Sequence, residues 1–393
     1  MSGVTKHIFE SEIRDIHKMW NQQLGVLASV LPYNYSEKDI IENLQRLYPH
    51  EWNSVEIKYM YYSKKDRYLL KRFGSKRYNM MKPLDLIETN SMYKRILSKS
   101  YRDKYNTEYA QDKRDEAYDL LIRRRIPKIK RIDDKISRAK SKTQQVTPVF
   151  LDKLIGLYCR KSTSQKDKVY ILAELKKYYS PEIIDFFFKI NDTELNRQLR
   201  EEAFFHLQSF NYQPRLRRQK YMIVHAENVK RKKYLWEVYP NERYKIPHNP
   251  AELEYRIQNS MEQKLKSYDF FVSHSSRDAF AVQKLITYLN MQGKNIYCDW
   301  IGDADYLKRH LVCDATLQVI ENRLDISDKV IFVRSMNSEK SVWCKYELNY
   351  FSRLGKKIVY INIDDIDEDK WNFVELDESE FWVEDIGELD LSI

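Results

Sequence analysis

Glycine and proline are scarce, at 8 and 10 residues in a chain of 393. A fold made of many tight turns needs both, so their scarcity argues against a turn-rich all-β architecture and favours helices joined by short connections. Cysteine is scarcer still. Cys159, Cys298, Cys313 and Cys344 lack the paired spacing of a zinc knuckle or a disulfide framework, which fits a reducing compartment and reads each as a small core hydrophobe. No run reaches the roughly 18 apolar residues that a membrane span requires, and the opening MSGVTKHIFESEIRDIHKMW is charged throughout, with no apolar leader core. The expectation is a soluble, cytoplasmic protein with no membrane partner. GxxxxGK[ST], GxGxxG and HExxH are also missing, so a phosphate-cradling loop and a zincin site have no support. Neither a metal site nor a bound cofactor is expected.

What is present is bulk and charge. Thirty Tyr, 16 Phe and 7 Trp supply burial surface, so a charged fraction of 32% does not imply disorder. The length exceeds the roughly 250 to 300 residues at which single cores stop growing, which predicts two or three domains. The net charge of +10 hides a split: residues 267–393 carry 14 basic and 24 acidic residues, against 54 and 34 upstream. Such asymmetry marks modules with different partners.

The reading divides the chain into a basic, mainly helical region (1–147), a helical segment (148–239), a linker with a connecting helix (240–267) and an α/β domain (268–393). In the first, Ser36 and Asp39 are spaced as a capping box before Ile40, Ile41, Leu44 and Leu47. VEIKYMYYSKKDRYLLKRFG is left open between a helix and a hairpin. The basic run RRRIPKIKRIDDKISRAKSK, at 123–142, reads either as a phosphate-contacting patch for nucleic acid or as a solvated linker or helix face, with Pro127 interrupting any helix. Four helices are predicted between Pro148 and Arg218, with Ser180 as an N-cap before Pro181. The recurrence of Val169 and Ala173 as Leu199 and Ala203 is compatible with a HEAT-like or armadillo-like array and equally with an ordinary bundle. A second basic cluster, RLRRQKY and KRKKYLWEVY, leads to Pro240, Pro247 and Pro250. Beyond them Leu253, Ile257, Met261 and Leu265 step by four, which predicts one helix whose narrow stripe is a packing seam within or between chains.

From Tyr268 the pattern changes to alternating strands and helices, the mark of a parallel α/β sheet. YDFFVS, NIYCDW, KVIFVRS, KKIVYINI and EFWVE are predicted as five strands of a flavodoxin-like sheet, with Gly293 ending the first helix. Three segments in this frame carry a family likeness: YDFFVSHSSRD, NIYCDWIGDADY and SVWCKYEL occur in the order of the first box, the second box with its BB loop, and the Trp-x-x-x-Glu helix of TIR domains. The C-terminal third therefore resembles a TIR domain of the bacterial immune-effector type.

The resemblance implies NAD+ as a substrate, cleaved at the bond between nicotinamide and ribose, with Glu347 as the catalytic carboxylate. Departure of neutral nicotinamide needs no general acid, so one carboxylate facing an oxocarbenium-like state can suffice. Ser273, His274, Ser275 and Arg277, at the C-terminal end of the first strand, are expected to meet phosphate or adenosine. Asp299 and Trp300, at the start of the BB loop, border the nicotinamide side, and Trp343 shares a helix face with Glu347. The BB loop IGDADYLKRH lacks the proline common near its tip, which bears on partner contacts more than on catalysis. Uncontrolled NAD+ loss would kill the host cell, so the resemblance further implies an N-terminal module that holds the enzyme inactive until an unidentified trigger arrives. Homo-oligomers through the TIR domain and connecting helix would complete a composite site. Two alternatives stay open: a non-enzymatic TIR scaffold, and a nucleic-acid sensor with a TIR output domain.

Overall fold

The computed structural model describes residues 4–215, 224–308 and 311–377. It divides into one unit of Met1–Ile136 with Asn211–Gln213 and a second of Ser137–Phe210 with Pro214–Ile393.

In the first unit, α1 (Val4–Leu27) buries Ile16, Trp20, Leu24 and Leu27, which fall on one helical stripe. The capping box of Ser36 and Asp39 opens α2 (Glu37–Leu47), as its spacing predicts. The aromatic and basic stretch that followed is a helix, α3 (Pro49–Phe73), stopped by Gly74 at φ +73°. Asp66, buried on this helix, accepts from the backbone N–H groups of Arg77, Tyr78 and Asn79 at 2.9, 3.0 and 2.7 Å, fixing the chain's return into α4 (Pro83–Glu88), α5 (Ser91–Leu97) and α6 (Lys99–Thr107).

The basic run lies on α7 (Gln111–Lys140), a 30-residue helix that runs through Pro127 without a break. The expectation that Pro127 interrupts it is wrong. Pro127 and Arg123, four residues earlier, are both exposed, so the carbonyl that loses its intrahelical donor lies where water can replace it. Arg124, Lys128, Lys130 and Arg131 are also exposed. Arg125 is instead buried, donating to the Leu47 carbonyl and to Glu51 at 2.7 Å each and stacking on Tyr48.

The second unit opens with the four expected helices, α8 (Phe150–Cys159), α9 (Gln165–Leu175), α10 (Pro181–Thr193) and α11 (Arg197–Ser209), with Ser180 capping Pro181. After α12 (Val229–Lys233), the predicted connecting helix is two pieces, α13 (Pro250–Asn259) and α14 (Met261–Lys264), broken at the extended Ser260. Leu253 packs with Tyr306, Val319, Ile257 and Leu307 inside the chain. Met261 is exposed, while Glu262, Gln263 and Lys266 are buried, so beyond Ser260 polar residues replace the apolar stripe.

The α/β part runs β1 (Tyr268–Ser273), α15 (Ala279–Met291), β2 (Ile296–Tyr297), α16 (Asp299–Gly302), α17 (Asp314–Asp325), β3 (Ser327–Arg334), α18 (Met336–Glu339), α19 (Val342–Arg353), β4 (Ile358–Asn362), α20 (Ile363–Asp367) and β5 (Val374–Glu375). Gly293 follows α15 at φ +75°. Strand order is β2-β1-β3-β4-β5, parallel through β4, with β5 antiparallel to β4. EFWVE, expected as the fifth strand, lies outside the described residues. One face of the sheet packs on α15 and α20 through Val282, Leu285, Ile331 and Ile366; the other packs on α17 and α19 through Leu324, Val330, Leu348 and Phe351. No helix among the described residues is long and apolar enough to cross a membrane.

Within this unit the helices are tied to the sheet by buried polar groups. The Gln144 side chain accepts from the Ile296 N–H at 2.8 Å and donates to the Ile296 carbonyl at 2.5 Å, so an amide group pairs with edge strand β2 as a neighbouring peptide would. Arg323 bonds Asp303 at 2.8 Å, Lys177 lies 3.3 Å from Asp303 and 2.8 Å from Glu174, and Lys266 lies 2.6 Å from Glu174. Gln263 donates to Glu174 and accepts from Arg323, at 2.9 Å each. Burial alone would raise both carboxyls, but Arg323, Lys177 and Lys266 hold Asp303, and Lys177 and Lys266 hold Glu174, well below the usual carboxylate range.

Arg323→Met leaves Asp303 buried beside too little positive charge, and urea unfolding should show a loss of ~3–5 kcal/mol. Both carboxyls are depressed, so their stabilisation is complete above the unfolded-state carboxylate range near pH 4 and is lost as pH falls below it. Asp303→Asn should correspondingly flatten the acid limb of a melting-temperature profile while lowering stability at neutral pH.

Candidate active site

The parallel order places a switch point between β1 and β3, whose following helices leave toward opposite faces; open α/β sheets bind ligands in such a crevice. At the C-terminal end of β1 the chain passes through Ser273, which is fully buried. Its hydroxyl donates to Glu347 Oε2 at 2.6 Å, across from α19. Glu347 keeps partial exposure, yet its carboxyl sits in a desolvating recess. Burial, opposed by the Ser273 hydrogen bond and reinforced by the Asp299 charge, pushes it up to about 8.

His274 follows Ser273. Its Nδ1 lies 3.0 Å from the Val272 carbonyl, and its Nε2 points to Cys298 Sγ at 3.9 Å and to Asp299 Oδ1 at 3.8 Å. Its ring lies 6.2 Å from that of Trp300. The indole Nε1–H of Trp300 is buried and lies toward the Cys298 thiol, whose ionised form it favours. Strand β2 stops at Tyr297, earlier than the expected Asp299, and Asp299 and Trp300 instead begin the single turn α16. Gly302 is the last residue of that turn, and a Cβ there would meet the Tyr297 ring at 2.8 Å. Of the BB loop, Arg309 and His310 lie outside the described residues.

Ser275 caps the short turn after β1, accepting from the Arg277 N–H at 3.3 Å, and Arg277 is exposed. The structure thus groups Ser273, His274, Asp299, Trp300 and Glu347, with Ser275 and Arg277 along the turn leaving β1. Trp343 is elsewhere in its contacts, packed against the core cluster of α17, α19 and β3.

Sequence reasoning missed the groups that hold this turn. Asp278 is buried and accepts from Ser335 Oγ at 2.5 Å and Asn337 Nδ2 at 2.7 Å, joining the loop after β1 to the loop after β3. Its only signal was an acidic residue closing YDFFVSHSSRD. The reading of every cysteine as core holds for Cys298 and Cys344, which are buried, and fails for Cys159 and Cys313, which are exposed.

A family model described as TIR domain matches residues 270–389. Over 377 residues, 96% of each chain, the sequence is 34% identical to a putative cyclic ADP-D-ribose synthase, TIR2, of Cytobacillus dafuensis. Over 100 residues, a quarter of this chain and 51% of the relative, it is 34% identical to a probable 3′ cyclic ADP-D-ribose synthase, ThsB′, of Bacillus cereus strain MSX-D12. Human Toll-like receptor 2 is 35% identical over 83 residues, 21% of this chain and 10% of the receptor. No solved structure matches.

Glu347 carries a raised pKa, so its protonated form is favoured by folding. The stability it contributes is present below the unfolded carboxylate value near 4.5 and is lost as pH rises through about 8. Glu347→Gln, a neutral mimic, should melt close to wild type at pH 4.5 and above it at pH 8.5, read by differential scanning fluorimetry across that range.

Proposed function

Because the chain belongs to the TIR-domain family whose members include proteins named cyclic ADP-D-ribose synthases, we propose that it cleaves NAD+ at the nicotinamide–ribose bond and closes the product into cyclic ADP-ribose, with Glu347 as its catalytic carboxylate. The observation that carries this reading is the pairing of Glu347 with Ser273 in a desolvating recess at the C-terminal edge of the sheet.

In this mechanism the bond from ribose C1′ to the pyridinium nitrogen breaks with its electron pair going to nicotinamide, which leaves neutral. The ribosyl cation left behind is stabilised by the Glu347 carboxylate in a low-dielectric recess, where such a charge pair is strongest. Ser273 orients that carboxylate through its hydrogen bond. Capture of the cation by water gives linear ADP-ribose; capture by a hydroxyl of the same molecule gives a cyclic product. A hydroxyl must lose its proton as it attacks, and a carboxylate with raised proton affinity is suited to take it. Asp299 and Trp300 border the nicotinamide side, and His274, Ser275 and Arg277 face the rest of the dinucleotide. NAD+ itself brings the positive pyridinium toward Glu347, so binding favours the ionised carboxylate that the chemistry needs.

The N-terminal helices restrain the enzyme until a trigger is sensed, in anti-phage defence, and self-association of the TIR domain completes activation in this reading. Leu253 and Ile257 of α13 are engaged within the chain, which favours the TIR domain over the connecting segment as the assembling surface. A TIR scaffold without activity is the alternative outcome of the same test.

Chromatography of NAD+ incubated with the full chain, dilute and clustered at high concentration, should show nicotinamide release with a cyclic product, and Glu347→Ala should lose at least ~100-fold in rate. Nicotinamide release that is absent in both states, or unchanged in the variant, rules the enzyme out. The pH profile carries a second expectation. The rate at low NAD+ should rise through about pH 8, the free-enzyme value, and at saturating NAD+ the rise should move to lower pH because the bound cation favours ionisation.

A further inference from the structure

We infer that His274, Cys298 and Asp299 form a binding site for a zinc-class divalent cation at the mouth of the Glu347 recess, and that the cation competes with NAD+. Their ligand atoms form a nearly equilateral triangle: Nε2 to Sγ 3.9 Å, Nε2 to Oδ1 3.8 Å, and Sγ to Oδ1 3.9 Å. Tetrahedral zinc, with bonds of about 2.3 Å to sulfur and about 2.0–2.1 Å to nitrogen and oxygen, requires ligand edges of about 3.3–3.6 Å. Small side-chain rotations of a few tenths of an ångström close the triangle onto an ion, leaving the fourth position to water.

Two of the three groups are already arranged for coordination, while burial and the Asp299 charge push the Cys298 thiol up, so the ion itself must supply the charge that ionises it. A carbonyl only accepts, so the 3.0 Å contact with Val272 fixes the His274 proton on Nδ1 and leaves the Nε2 lone pair facing Cys298 and Asp299. Asp299 Oδ1 is held by the Trp300 N–H at 2.8 Å. Thiol, imidazole and a single carboxylate together select a borderline-soft ion over Mg2+ or Ca2+, which take oxygen donors. The sequence gives no hint of the site: residues 274, 298 and 299 match no knuckle spacing, and the sheet alone brings the ends of β1 and β2 together.

Binding exchanges the Cys298 S–H proton for the metal, so one proton is released to solvent for each ion bound from the thiol state. Asp299 is among the charges that Glu347 feels. An ion there cancels that charge, ties up Asp299 on the nicotinamide side and His274 on the side of the rest of the dinucleotide, and so removes the negative charge that would attract the pyridinium cation. The competition rests on the proposed function; metal binding does not.

Co2+ titrated into the full chain should give a thiolate-to-cobalt charge-transfer band at one equivalent, reversed by Zn2+ and unaffected by Mg2+. Cys298→Ser should abolish the band. Asp299→Asn, at an exposed position with little folding risk, should weaken binding by at least about 10- to 100-fold, the loss that even outer-shell changes cause. A missing band in folded wild type, or one retained in Cys298→Ser, overturns the site. In the activity arm, Zn2+ should raise KM for NAD+ without changing kcat. An unchanged KM with the cobalt band present overturns the competition alone, and a cobalt band without any NAD+ cleavage leaves the site standing while removing the proposed function.

Discussion

The buried pair of Asp303 and Arg323 is the constraint on which the rest of the second unit depends. Both side chains are almost wholly removed from water, so neither tolerates the loss of the other, and each must be held where the other can reach it. Asp303 follows the turn that begins the BB segment and Arg323 lies on α17. Their pairing therefore fixes the segment after β2 against the helix that carries the chain across to β3. The same carboxylate is within reach of Lys177 of the helical segment, and Arg323 is within reach of Gln263 of the connecting segment. Three stretches that are remote in sequence share one charge balance.

That balance has a consequence for the site. Asp299 and Trp300 stand only a few residues before Asp303, and Gly302 between them is pressed on Tyr297. Gln144 pairs with Ile296, just before the same turn. The residues that border Glu347 on this side are thus held by Gln144, ahead of the helical segment, and by Lys177 within it, as well as by the sheet. A rearrangement of that stretch would free the edge of β2 and the start of the BB segment together, the route within this unit that the proposed restraint would require.

Much of this was legible before any coordinates. The capping box at Ser36, the Ser180–Pro181 start and the alternation from Tyr268 onward are local signals, set by hydrogen-bonding needs and by the period of apolar residues, and the structure follows them. Pro127 misled because a proline's effect depends on whether the orphaned carbonyl can find water, which a tertiary surface decides. The connecting helix misled for the complementary reason: Leu253 and Ile257 followed the apolar period, but beyond Ser260 the polar Glu262, Gln263 and Lys266 turn inward to partners that sequence spacing does not reveal. At the site, motif order pointed to Ser273, His274, Asp299 and Glu347. Cys298, Asp278 and Ser335 were invisible because their meaning lies in partners more than twenty residues away.

The chemistry proposed for Glu347 and the stability of the fold pull in opposite directions. A carboxylate that must stabilise a cation is most effective where water is excluded, and exclusion of water is what raises the cost of ionising it. Ser273 offsets part of that cost with a single hydrogen bond, while Asp299 adds to it. Without substrate the recess therefore favours a proton on Glu347, and a protonated acid offers little to a developing positive charge. In the proposed reaction the pyridinium of NAD+ is the missing counter-charge, and its arrival would stabilise the ionised form at the moment that form is needed. A recess that disfavours the ionised carboxylate until a cation arrives, set within an edge clamped by Gln144 and Asp303, is what the proposed restraint on NAD+ turnover would need.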